Sequence, residues 1–118
     1  MESMMVFYPC KDIEETSRFY QEVLGLRLYN DQGKCKIFDT GYGYLGFCQY
    51  SHGELASHVC ISFNCKNEAE VDKTYTLFRD TSKYQCTKPQ RHPEFAVYSF
   101  FMKDPNGYTV EFQKILEP

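Results

Sequence analysis

Apolar and polar positions along this 118-residue chain change period, and later change again in the same order. A short apolar run over 4–8, closed by Pro9, reads as a strand. Asp12-Ile13-Glu14-Glu15 then offers an acidic cap with Glu at the third helical position. Ile13, Thr16, Tyr20, Val23 and Leu24 recur with helical spacing until Gly25 stops the run. Runs over 26–30, 34–38 and 44–49 predict three strands, separated by Asp31-Gln32-Gly33 and Asp39-Thr40-Gly41.

After the polar link Ser51-His52-Gly53-Glu54 the order repeats. Over 57–63, Val59, Ile61 and Phe63 fall on one face of a strand, with His58, Cys60 and Ser62 on the other. Asn67-Glu68-Ala69-Glu70 repeats the cap-plus-Glu signal, and Val71, Thr74, Tyr75 and Phe78 mark the stripe of a second helix. Strands over 84–88, 95–102 and 108–113 complete the set. The expectation is one α+β domain over 1–118, built from βαβββ modules at 1–50 and 55–118. Each module is too small to hold a core alone, so the two should pack together or across a dimer. Apolar strand faces should cover the helices, leaving the opposite faces to line a trough.

The last turn is the most strongly specified. Asp104-Pro105-Asn106-Gly107 is four turn formers in succession, with Asp104 placed to cap its own turn. Beyond it Tyr108, Val110 and Phe112 alternate with Thr109, Glu111 and Gln113. A hairpin follows, carrying one carboxylate, Glu111, on the face opposite its apolar residues.

Composition narrows the function classes. Thirteen basic against 16 acidic residues, a formal −3, gives no basic stripe for nucleic acid. No apolar run reaches the length of a membrane span, and Met1-Glu2-Ser3 does not open like a signal peptide. The expected location is therefore the cytoplasm. Six cysteines without a CxxC pair read as free, mostly buried thiols in a reducing compartment. Ten Tyr and ten Phe with no Trp supply rings for a core and for an aromatic-lined pocket.

The stretch from Lys11 through Phe19-Tyr20 to Leu24-Gly25, with the later Asp104-Pro105-Asn106-Gly107 and Glu111, resembles the vicinal-oxygen-chelate superfamily. That group includes glyoxalase I, fosfomycin and bleomycin resistance proteins and extradiol dioxygenases. The resemblance covers essentially the whole chain. It implies paired βαβββ modules whose mixed sheet curls into an open barrel around a pocket, and a homodimer.

In metal-using relatives the ligands come from first and last strands of the modules. Carried onto this chain, those positions fall on Met5, His58 and Glu111. A thioether is a poor ligand for Zn²⁺, Ni²⁺, Mn²⁺ or Fe²⁺, and two remaining donors fall short of the three that catalytic sites keep. The expectation is a small-molecule-binding protein without a complete metal site and with no cofactor. His58 is either hydrogen-bonded at a sheet face with Glu111 a solvated strand residue, the two being relics of ligand positions, or the two are paired across the trough, where each favours the charged form of the other and a polar ligand group could be oriented. Met5 and Phe7 would be apolar wall, Tyr98 core, rim or pocket, and Arg91 either a solvent-exposed connector residue or a lid residue for an anionic ligand. The alternative is a divalent-metal-dependent lyase, isomerase or dioxygenase holding one ion with His58, Glu111 and an atypical partner. A structural homodimer with a vestigial pocket is a third class.

Overall fold

A computed structural model describes residues 1–117, and its helices start where the sequence caps them. Oδ1 of Asp12 accepts the backbone N–H groups of Glu14 and Glu15, at 2.9 and 3.2 Å, opening α1 (Ile13–Arg18). α1 then loosens into a π-turn over Phe19–Val23, closed by the Leu24 N–H on the Phe19 carbonyl, and Gly25 turns the chain at φ 76°. The wider turn places Phe19 and Tyr20, consecutive residues, both in the core. Oδ1 of Asn67 accepts from the Glu70 N–H, and the Glu70 carboxylate accepts from the Lys66 N–H, opening α2 (Glu68–Thr81).

The strands are β1 (Met5–Pro9), β2 (Arg27–Asp31), β3 (Cys35–Asp39), β4 (Tyr44–Cys48), β5 (Cys60–Asn64), β6 (Gln90–Arg91), β7 (Val97–Lys103) and β8 (Thr109–Ile115). They form two four-stranded mixed sheets, ordered β1-β4-β3-β2 and β5-β8-β7-β6. The pairs β1–β4 and β5–β8 are parallel and the others antiparallel. Each sheet keeps open edges and neither is closed into a barrel or strongly curled, which corrects the expected curled sheet or open barrel. Among the described residues every ladder stays inside one module, and closure would need edge strands to pair with a matching stagger. The contacts divide the chain into two compact units, Met1–Ser57 and the remainder from His58.

Unit one buries its aromatic residues beneath α1 and the π-turn. Tyr20 stacks on Phe47 with centroids 4.6 Å apart and on Phe38 at 6.0 Å. In unit two, α2 covers one face of its sheet: Phe112 meets Phe63, Phe78 and Phe100 at 5.5, 5.2 and 5.1 Å, and Tyr75 meets Phe100 edge-on.

Three local expectations are corrected. Segment 84–88 is no strand; only Cys86 bridges to Met102, and the short β6 lies a few residues later. The fifth strand begins at Cys60 rather than 57, because His58 sits at φ 58°, a left-handed conformation in which a ladder cannot continue. Cys35 and Cys48 are joined by a disulfide, so the six cysteines are not all free thiols. They are direct cross-strand partners on β3 and β4, a proximity set by hairpin register.

Candidate functional site

The hairpin of β7 and β8 is fixed by Asp104. Its buried carboxylate accepts the N–H groups of Asn106 and Tyr108 at 2.8 and 2.9 Å, with Gly107 at φ 84°. That turn sets the register of everything beyond it. Phe100 faces Phe112 and Met102 faces Val110, toward α2.

The opposite face of unit two reads as rows across β7, β8 and β5. Lys103, Thr109 and Cys60 form one row, Phe101, Glu111 and Ser62 the next, and Ser99, Gln113 and Asn64 the third. Apart from Phe101 these nine residues are polar or small, a Val97–Ile115 row lies beyond them, and Glu111, half-buried at their centre, is the carboxylate among them. Nζ of Lys103 donates to Oγ1 of Thr109 at 2.7 Å, and Nε2 of Gln113 donates to Oδ1 of Asn64 at 3.3 Å. The Cys60 thiol lies 3.9 Å from Oε1 of Glu111. Burial, then the Glu111 charge, pushes that thiol above its ordinary range, with Lys103 opposing. Cys60 is thus held as a thiol rather than prepared as a nucleophile.

The corresponding face of unit one is built differently. By strand order and register, Gly46 occupies the place that Glu111 holds, and Phe7 the place of Ser62. The Phe7 ring lies over Gly46: a Cβ there would come within 2.5 Å of the ring. Met5 and Phe7 are exposed on this face, near Tyr44, whose ring packs on Tyr29 at 4.4 Å.

Sequence-expected residues therefore occupy different surroundings. Glu111 is on the polar face of unit two. His58 is exposed and precedes β5, so the alternation that would carry its imidazole onto that face stops short of it. Tyr98 and Arg91 are cross-strand partners pointing toward α2, where Tyr98 donates to Asp72 and Arg91 approaches Glu68 at 3.4 Å. Met5 and Phe7 belong to unit one. Among the described residues no group of three or more His, Cys, Asp or Glu side chains is arranged to hold a metal ion. The donors on the polar face, one carboxylate and one protonated thiol, do not make the three-ligand set of a catalytic metal centre.

Sequence reading missed the groove beside this face. A cavity of about 900 Å³ opens between the end of α2, segment 82–87 and the β7–β8 hairpin. Thr87 fixes its wall to the sheet edge twice: its N–H donates to the Phe101 carbonyl and its Oγ1 accepts the Phe101 N–H, each at 2.9 Å. Phe101, Lys103 and Thr109 belong both to the polar face and to the groove, so the two are continuous. The volume suits a drug-sized molecule. The signal available in sequence was the polar run 82–88 after a helix whose end no glycine marks.

A family model for the Glyoxalase/Bleomycin resistance protein/Dioxygenase superfamily matches residues 4–112. Among solved structures, the chain is similar to a lactoylglutathione lyase from Agrobacterium tumefaciens, at 22% identity and TM-score 0.78, covering 94% of this chain and 91% of that one. It is similar to a glyoxalase/bleomycin resistance protein/dioxygenase from Nocardioides, at 18% identity and TM-score 0.83, covering 99% and 85%. It is also similar to TnmS3, an antibiotic binding protein from Streptomyces sp. CB03234, at 16% identity and TM-score 0.78, covering 98% and 96%. Likeness at these identities shows the fold alone. No curated protein sequence matches the chain at a significant level.

Proposed function

The chain belongs to the Glyoxalase/Bleomycin resistance protein/Dioxygenase superfamily, and from that premise we propose that it binds a small organic molecule on unit two, over the polar face around Glu111 and the adjoining groove. The observation that carries this reading is the division of one sheet into two unlike faces. α2 closes the apolar one, while the other sets a half-buried carboxylate between Phe101 and Ser62 and runs into a cavity of about 900 Å³. Among the described residues the Glu111 carboxylate forms no ion pair, and a ligand donor group would give it a partner. That TnmS3, of similar fold, is an antibiotic binding protein is in keeping with sequestration as a use of this architecture.

The reading includes a homodimer, supported by the exposed Met5, Phe7 and Tyr29 on unit one, and a reducing, cytoplasmic setting, supported by Cys60, Cys65 and Cys86 standing outside any disulfide. The Cys35–Cys48 disulfide weighs against that setting.

A fragment screen followed by amide shift mapping tests the proposal. Binding should perturb Cys60–Ser62, Phe101 and Thr109–Gln113, and Glu111→Gln should weaken those ligands that carry a hydrogen-bond donor. Stoichiometric divalent metal in protein purified without chelator would overturn the metal-free reading.

A further inference from the structure

We propose that the groove of unit two selects a small organic anion with a flat apolar body, such as an aromatic carboxylate or phosphate monoester. This rests on the small-molecule reading of the same site and names the ligand class. The lining supplies Arg79, Lys83 and Lys103 as cations and contains no carboxylate, in a chain whose formal charge is −3.

The three cations are not equivalent. Arg79 is already compensated: Nε donates to Oδ1 of Asp80 at 2.9 Å, and its guanidinium lies 5.5 Å from the Tyr75 ring centroid. Lys83 and Lys103 have neutral partners. The Lys83 ammonium sits 5.4 Å from the Tyr84 ring centroid, and Lys103 donates to the Thr109 hydroxyl. Among the described residues neither lysine forms an ion pair. Asp104, next to Lys103, is turned inward and engaged by its own turn. Two ammonium groups without an acidic partner among the described residues thus border one cavity, and an anion bound there would supply the missing countercharge.

Two features oppose an anion: the overall negative charge and the C-terminal end of α2. Both are weakened where the ligand would sit. Charges beyond about 8–10 Å are largely screened at ordinary salt. At the helix end, the Ser82 N–H and the Thr81 hydroxyl already satisfy the Phe78 and Leu77 carbonyls. Phe101, Met102 and Cys86 supply an apolar wall, and burial keeps the Cys86 thiol protonated. An inorganic ion would leave that wall wet, whereas a ring beside the anionic group covers it.

The test is a charge series on one ring, titrated at pH 8 with amide shifts as readout: 1-naphthyl phosphate, 1-naphthoate and the neutral 1-naphthalenemethanol, with inorganic phosphate as control. Both naphthyl anions should saturate and perturb Phe101, Lys103 and Thr109. The neutral alcohol and inorganic phosphate should each bind roughly tenfold more weakly or worse. The double variant Lys83→Gln/Lys103→Gln should lose at least about tenfold for naphthyl phosphate while leaving the alcohol unchanged, and Lys83→Arg/Lys103→Arg should keep binding. If the alcohol binds as tightly as the phosphate, the anion inference falls and the small-molecule reading stands. If neither naphthyl anion nor alcohol binds, both fall. Anion binding that perturbs only amides outside the groove also overturns the inference.

Discussion

Oη of Tyr98, on β7, donates a hydrogen bond to Oδ1 of Asp72, on α2, at 2.5 Å. With the Arg91–Glu68 pair beside it, this bond joins the helix to the sheet through polar groups. The bond, then burial and the charge of Asp72, pushes the Tyr98 phenol up to about 12. A phenol whose folded pKa lies above its unfolded value near 10 stabilises the fold fully below pH 10, and that contribution disappears as pH rises toward 12. Because Asp72 is exposed and Tyr98 only half-buried, Tyr98→Phe should lower stability by only about 0.5–1 kcal/mol at pH 7. Urea midpoints of the two proteins should converge between pH 10 and 12; a constant gap would mean that the bond does not set the phenol's titration.

Neighbouring residues on β8 should behave oppositely. Phe112 sits within the ring cluster under α2, so Phe112→Ala should cost about 3–5 kcal/mol. Glu111 faces the other way, and Glu111→Gln should move stability by no more than about 0.5 kcal/mol. Denaturant unfolding of the two variants checks the face assignment directly.

Cys60 offers a chemical probe of that face. Its thiol is held protonated by burial and by Glu111, so peptide-resolved alkylation by iodoacetamide at pH 7.5 should be slower than for an unperturbed cysteine. Glu111→Gln removes one raising influence and should speed the reaction at Cys60 while leaving Cys65 unchanged. Equal rates before and after would separate the two side chains.

Gly46 and Phe7 form a steric pair. Gly46→Ala places a methyl against the Phe7 ring and should destabilise by about 1–2 kcal/mol. In a Phe7→Ala background the same change meets no ring, and the loss of unfolded-chain freedom should make it neutral or stabilising. A double-mutant cycle with no coupling would contradict the close approach.

What could be read from sequence was whatever local chemistry determines. The caps at Asp12 and Asn67, the Asp104 turn and the alternation of Thr109 and Glu111 against Val110 and Phe112 depend on residues a few positions apart, and they stand where the pattern put them. Sheet closure depends on which edges pair, which periodicity does not encode. The Cys35–Cys48 bond depends on hairpin register, and the start of β5 on a single left-handed residue, His58. Of the candidate site, Glu111's face was legible because a strong turn fixes it. The surroundings of Tyr98 and Arg91 were not, since the acids they meet lie on a helix some twenty residues earlier.

The ring of Phe7 lying over Gly46 makes the two halves unequal in the substitutions open to them. In the second half a single codon change can remove or replace the acid at Glu111 with no ring to displace, altering only the Cys60 thiol beside it. In the first half an acid at Gly46 must push the Phe7 ring aside or follow a change that shrinks it, so the same gain of charge carries a steric cost there. Drift in binding chemistry should therefore be quick in the later half of the molecule and slow in the earlier one.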